Sequence, residues 1–355
     1  MAASWTFAVT RANLGETTLL LSDLPDLADG EALLRVDRVG LTANNVTYAV
    51  LGESMRYWQF FPPEAYGLGP EWGLPPLWGF AEVVASTVPE VAVGLRVYGY
   101  LPSAGHLVVR PDRVDATGFR DVSAHRADLP SPYNAYRATD GDPAYRADAE
   151  DLLILFRPLF FTSFMLADQV IDEDYYGAEA LVLSSASSKT AYAAAYELHG
   201  RGPRLIGLTS PGNIEFTRSL GCYDDVVAYE GIGDLDLVPT AYLDLSGAPA
   251  VRAALRQRLG DRMVRDVAVG LTNQIPNMDA AGEFFFAPVR ISKRRQDWGR
   301  EELDKRFAAA WQRFAGVVGD WLDVRVGEGP KALRRAWGEV LRGETPPRVG
   351  QIVQL

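Results

Sequence analysis

One stretch constrains the fold of this chain more than any other: Ala180-Leu181-Val182-Leu183-Ser184-Ser185-Ala186-Ser187-Ser188-Lys189-Thr190-Ala191. The apolar run reads as a buried strand, the small hydroxyl residues turn the chain, and Thr190 to Leu198 reads as a helix. With a second strand at Arg204 to Leu208, this is the opening unit of a nucleotide-binding parallel sheet. Backbone amides at the helix N-terminus would face an anion there. Small residues let the backbone pass close to a pyrophosphate. Ser185, Ala186, Ser187 and Ser188 stand where glycines are usual, and Lys189 adds a positive charge beside Thr190. The same serines also suit a plain helix N-cap.

Elements on either side extend the pattern. Val226 to Tyr229, Thr240 to Leu245 and Val264 to Gly270 read as further strands, with Ala250 to Leu259 as an amphipathic helix between the last two. Strand and helix alternating at this spacing require a doubly wound parallel sheet. Before it, residues 1 to about 115 read as short strands broken by turns, at Thr17 to Leu21, Glu31 to Val39, Phe80 to Ser86 and Leu95 to Tyr100, with His106 to Val109 after a four-residue turn. These strands suggest a β-barrel-like domain. Thr42 to Leu77 reads as a long insertion rich in Tyr, Trp and Phe, suited either to lining a pocket or to packing on itself. Asp121 to Ala149 reads as a polar, extended linker. Leu152 to Val170 reads as a helix that Pro158 kinks or splits. Leu303, Phe307, Ala310, Trp311 and Phe314 recur at helical spacing within Arg300 to Val318, and Gly350 to Leu355 reads as a last strand.

Composition narrows the function classes. With 355 residues and 48% hydrophobic content, the chain suits about two domains. A net charge of −11 argues against a nucleic-acid partner; Lys293-Arg294-Arg295 reads as solvated surface. No apolar run of about eighteen residues appears, so no membrane span is expected, nor does the start read as a signal peptide. One cysteine, Cys222, suits a reducing cytoplasm. Three histidines, far apart and without cysteine partners, leave a zinc site almost no ligands.

The order of a β-rich domain, a doubly wound domain and a returning strand resembles the medium-chain dehydrogenase/reductase superfamily, in its zinc-free quinone oxidoreductase and enoyl reductase branch. Val39-Gly40-Leu41-Thr42-Ala43-Asn44-Asn45-Val46-Thr47-Tyr48 is similar to the family segment that approaches a nicotinamide. Gly79-Phe80-Ala81-Glu82-Val83-Val84 and Gly94-Leu95-Arg96-Val97-Tyr98-Gly99 resemble two further family strands. Throughout, including the Ser-Ser-Ala-Ser-Ser-Lys-Thr run, the chain resembles bacterial proteins of the DUF2855 group. The resemblance implies an α/β architecture. A GroES-like β-barrel domain would cover residues 1–150, with segments returning from about 290 to 355, and a Rossmann domain would cover 151–289.

It also implies a coenzyme, and the residues favour NADP. The second strand ends in Thr209-Ser210-Pro211-Gly212-Asn213 with no carboxylate to hold a ribose 2′-hydroxyl. Thr209 and Ser210 are donors for a 2′-phosphate, and Arg218 adds charge. By resemblance, Tyr229 contacts the adenosine end, Ser246-Gly247 brings backbone to the ribose, and the Asn273 region and Phe284-Phe285-Phe286 flank the nicotinamide. Asn44, Asn45, Tyr48 and Tyr57 are the polar groups expected near the chemistry, either tyrosine being a proton donor. The expected substrate is a small hydrophobic carbonyl compound, enone or quinone, and the family implies a homodimer. Two rivals remain at this level: a non-enzymatic NADP-binding module, and a non-redox protein on the same scaffold. A phosphate-binding loop ending in Lys189-Thr190 is disfavoured because both its glycines are missing.

Overall fold

Residues 3–269 and 283–355 are described by the computed structural model. They fall into two units, Met1–Leu155 with Asp323–Leu355, and Phe156–Leu322. The first begins with β1 (Ala3–Thr10), β2 (Thr17–Asp23), β3 (Ala32–Leu41), α1 (Ala43–Val50), β4 (Trp72–Gly73) and β5 (Leu77–Ser86). It continues with β6 (Arg96–Leu101), β7 (His106–Val109), β8 (Pro111–Asp115), β9 (Gly118–Asp121) and β10 (Ala135–Ala138), and α2 (Glu150–Asp172) leads out of it. The second holds β11 (Ala180–Leu183), α3 (Lys189–Leu198), β12 (Arg204–Thr209), α4 (Ile214–Ser219), β13 (Asp225–Ala228), β14 (Thr240–Asp244), α5 (Pro249–Leu259), β15 (Met263–Val269), β16 (Glu283–Phe285), α6 (Ala287–Trp298) and α7 (Arg300–Val318). Then β17 (Asp323–Glu328), α8 (Gly329–Leu341) and β18 (Val349–Gln354) complete the first unit. The return therefore comes after α7, later than the position near 290 read from the sequence.

The first unit is built on a nine-stranded sheet, β17-β18-β3-β5-β6-β10-β9-β8, with β7 also on β3, beside a three-stranded sheet β2-β1-β4. Gly79 is required where β5 crosses a bulge in β3: a Cβ there would lie 2.1 Å from the Arg38 carbonyl oxygen. Asp121 to Ala149 is no linker. Asp121 and Arg126, both at 0% side-chain exposure, pair at 3.1 Å, and β10 adds a strand to the sheet. The polar composition there reflects charges that neutralise each other indoors. Thr42 to Leu77 is likewise a packed segment. Besides α1 it forms two short 3₁₀ turns, and Tyr57, Trp58, Phe60, Phe61 and Tyr66 are buried.

In the second unit six parallel strands run β13-β12-β11-β14-β15-β16. One face is closed by Val182, Leu208, Tyr242, Leu255 and Leu259. Leu303, Phe307, Ala310, Trp311 and Phe314 of α7 are buried as their spacing requires, and Phe314 stacks on Phe160 of α2 at 4.8 Å. Pro158 neither splits nor ends α2. The segment Ala147–Asp172 is long and apolar enough to cross a membrane by length and composition, although Arg157 interrupts it, and 56% of its apolar window is buried inside the protein. Arg294, read as surface, is also buried; it and Arg290 clamp Asp168 and Asp172 on α2.

Candidate functional site

Strand order places β11 between β12 and β14, so successive crossovers leave it in opposite directions. This is the switch point at which doubly wound sheets open a crevice beyond the strand ends. Ser184, fully buried, locks the two central strands there. Its hydroxyl donates to Asp244 Oδ1 at 2.8 Å and accepts the amides of Leu245 and Ser246 at 3.0 Å. Ser185 then turns the chain with φ 53°, a region glycine usually fills, and its amide donates to the Tyr229 phenol at 3.0 Å. Ala186 is pinned from both sides: its amide donates to Leu208 O, and its carbonyl accepts from Tyr223 Oη. Gly207 permits that approach, since a Cβ there would meet the Ala186 methyl at 2.9 Å.

Ser188 is the N-cap of α3, its hydroxyl accepting the Ala191 amide, so the plain capping reading holds for that residue. Ser187 differs. Its hydroxyl accepts from Thr209 Oγ1 and Asn213 Nδ2 at 3.3 and 3.2 Å. Among the described residues, the backbone amides of Ser187 and Thr190 have no hydrogen-bond partner. Lys189 follows directly, and burial pushes its ammonium down to about 8.

Past β12 the geometry redistributes the expected roles. Thr209 is fully buried with its hydroxyl given to Ser187. Ser210 remains half-exposed and accepts from Asn213 Nδ2 at 3.0 Å. Asn213 thus links two serines of the site, a role the sequence reading did not assign it. Arg218 is exposed, but its guanidinium donates to the Val226 carbonyl at 3.3 Å and makes no hydrogen bond to Thr209 or Ser210. Asp244, also missed, organises the loop after β14. Its Oδ1 accepts Ser246 N, Ser246 Oγ and Gly247 N, and Arg252 balances its other oxygen at 3.1 Å. Gly247 needs its flexibility there, at φ 62°.

In the first unit, phenols converge around α1. Thr42 and Asn45 form a capping box, and the Asn45 amide nitrogen donates to Pro76 O at 2.9 Å. Asn45 therefore caps α1 with its side-chain amide already hydrogen-bonded at both ends. Tyr48, one turn beyond Asn44, is buried; the Trp78 indole N–H donates to its oxygen at 3.1 Å. Burial pushes the Tyr48 phenol up to about 12, and the Trp78 hydrogen bond opposes that rise. Tyr57 shares a hydrogen bond with Tyr133, oxygen to oxygen 3.2 Å, and its ring lies 4.7 Å from that of Tyr48. Tyr133 was hidden in the segment that reads as a linker. Elsewhere, Phe285 is buried and Phe284 stacks on Phe286, which is 47% exposed. Asn273 lies outside the described residues. Among those described, no three His, Cys, Asp or Glu side chains group as metal ligands.

Comparisons with known proteins agree with this architecture. The family described as "Protein of unknown function (DUF2855)" matches residues 39–346. No curated protein matches the chain. Among solved structures, CurA from Vibrio vulnificus in complex with NADPH aligns at 16% identity and TM-score 0.60, over 99% of this chain and 98% of its own. The yhdH oxidoreductase from Salmonella enterica in complex with NADP aligns at 15% identity and TM-score 0.53, over 99% of each. The quinone oxidoreductase from Coxiella burnetii aligns at 12% and 0.52, over 100% of each. The shared fold is that of the medium-chain dehydrogenases/reductases, a GroES-like unit with a Rossmann unit.

Proposed function

This chain belongs to the DUF2855 family, and we propose that it is a zinc-free, NADPH-dependent oxidoreductase acting on a hydrophobic carbonyl compound, enone or quinone. One observation carries the reading. At the switch point of the parallel sheet, the amides of Ser187 and Thr190 stand open at the start of α3 with Lys189 beside them. They would hold the coenzyme diphosphate, while Ser210 and Asn213 take the 2′-phosphate where an NAD site would put a carboxylate. Asp244 presents Ser246 and Gly247 to the ribose, and the Tyr229 phenol lies against the bend. The bound coenzyme supplies a hydride; Tyr48 or Tyr57 supplies the proton. The buried Cys222 fits a cytoplasmic protein. Two copies would pair along β16, the outer strand of its sheet, beside the exposed Phe286 and Val289.

Titration of fluorescence with each coenzyme tests the reading. NADPH should bind at least about tenfold tighter than NADH, the worth of one or two charge-assisted hydrogen bonds to the extra phosphate. Tighter NADH, or no binding of either at millimolar concentration, defeats it.

Lys189 gives that affinity a pH dependence. Its pKa is depressed in the free protein, and a neighbouring diphosphate favours the charged form and raises it. The complex therefore binds more protons than the free protein above about pH 8, and affinity falls as pH rises through that value. Calorimetry in buffers of different ionisation heat should show proton uptake near pH 8.5 in the wild type and none in Lys189→Met. Equal proton uptake in both would exclude Lys189 as its source.

A further inference from the structure

We propose that β17 is a docking edge for an extended peptide segment of another protein, one whose side chains alternate between acidic and apolar. Every residue involved belongs to the first unit, so the proposal stands apart from the coenzyme reading.

β17 is the outer strand of the nine-stranded sheet and pairs only with β18, in parallel. Its other edge therefore offers backbone donors and acceptors to whatever lies beside it. Such edges are usually shielded by proline, a bulge or a covering element. Asp323, Val324, Arg325 and Val326 are instead exposed in succession. The two faces of the strand differ. A Cβ on Gly327 would meet the Ala332 methyl at 2.7 Å, so Asp323, Arg325 and Gly327 face α8, and Val324 and Val326 face away from it.

Between β17, β18 and α8 lies a cavity of about 230 Å³, lined by Arg325, Gly327, Ala332, Arg335, Glu339 and Gln351. Glycine and alanine leave the space, and charge decides what enters it. The Glu339 carboxylate accepts from Gln351 Nε2 at 2.6 Å, and Arg335 reaches it only at 3.9 Å. Among the described residues, the side chains of Arg325 and Lys331 make no hydrogen bond or ion pair. In a chain of net charge −11, this edge presents unpaired cations.

A strand added here would aim alternate side chains at the cavity and the rest at Val324 and Val326. Carboxylates fit the first set, through charge-assisted hydrogen bonds to Arg325 and Arg335. Apolar groups fit the second. A second copy of the chain fits less well. Two β17 strands in full antiparallel overlap would set Asp323 of each opposite Glu328 of the other, a like-charge pair at both ends. They would also bring a second set of the same cations.

The full chain tests this with the fluorescently labelled peptide Val-Glu-Val-Glu-Val-Glu, followed by anisotropy. It should bind below about 1 mM and weaken as salt rises, whereas Val-Lys-Val-Lys-Val-Lys should not bind. Arg325→Glu, an exposed change that should leave circular dichroism and NADPH affinity as they were, should weaken binding at least about tenfold. Only alternate amides of an added strand face β17. N-methylating the valines in one peptide and the glutamates in another should therefore cost about tenfold or more in one case and little in the other. Equal losses would mean attraction of charge without strand pairing and would overturn the proposal. So would a wild type that does not bind the acidic peptide, or an Arg325→Glu variant that binds it unchanged. Sedimentation checks the other occupant: a wild-type dimer that Arg325→Glu dissociates would assign the edge to a second copy and overturn the proposal as well.

Discussion

Arg126→Met is expected to cost the fold about 3–5 kcal/mol, the usual penalty for leaving one partner of a buried ion pair behind. Both Arg126 and Asp121 have no exposed side-chain surface, so water cannot replace the missing guanidinium. The loss spreads through contacts that only this cation makes. Its Nη1 donates to Tyr136 Oη at 3.1 Å, and that phenol donates to Tyr100 O at 2.8 Å. Its planar head also lies over Phe61 and Phe60, at 5.0 and 5.7 Å from the ring centres. Tyr100 packs against Tyr48 and Tyr133, so near-ultraviolet circular dichroism of the tyrosines should weaken even where folded protein persists. Urea unfolding of Arg126→Met, Asp121→Leu and the double variant provides the check. Each single change should show the large loss, and the double should recover most of it because no unpaired charge remains. A loss near 1 kcal/mol in the singles would mean that the pair is reached by water.

The same pair shows where the sequence misled. Asp, Arg and Pro between 121 and 149 resemble a solvated linker until Asp121 and Arg126 are seen to cancel inside the first unit, and Tyr133 is hidden with them. What sequence made legible was local. Ala180 to Leu183, the serine bend and the helix after it lie within one stretch, and their pattern placed the bend at the switch point. The α7 stripe was readable for the same reason. What it hid was distant: Ser184 and Asp244 meet across 60 residues, and Asn213 joins Ser187 across 26. Nothing in a linear pattern indicates that Asp244 holds the loop after β14. Asn45 carries a second signal: Thr42-Ala43-Asn44-Asn45 has capping-box spacing, and the structure shows that box. Thr209 faces inward, and a hydroxyl at a strand end can face either way until packing decides.

Thr190→Glu is expected to abolish coenzyme binding, by at least a hundredfold in Kd, while raising the melting temperature. The two effects share one cause. Thr190 lies in the first turn of α3, where aligned peptide dipoles leave positive potential and its own amide is open. A carboxylate placed there stabilises the helix by about 0.3–1 kcal/mol. It does so by occupying the potential that a diphosphate would use, and it sets a like charge against the incoming anion. Half-burial of Thr190 gives the longer side chain a route outward, so no core has to be repacked. An ordinary damaging substitution lowers stability and binding together; this one should separate them, and Thr190→Gln, equal in size but neutral, should retain most of the affinity. Thermal melts beside NADPH titrations decide the matter. Unchanged affinity in a more stable Thr190→Glu would show that the start of α3 holds no diphosphate and would remove the footing of the coenzyme assignment.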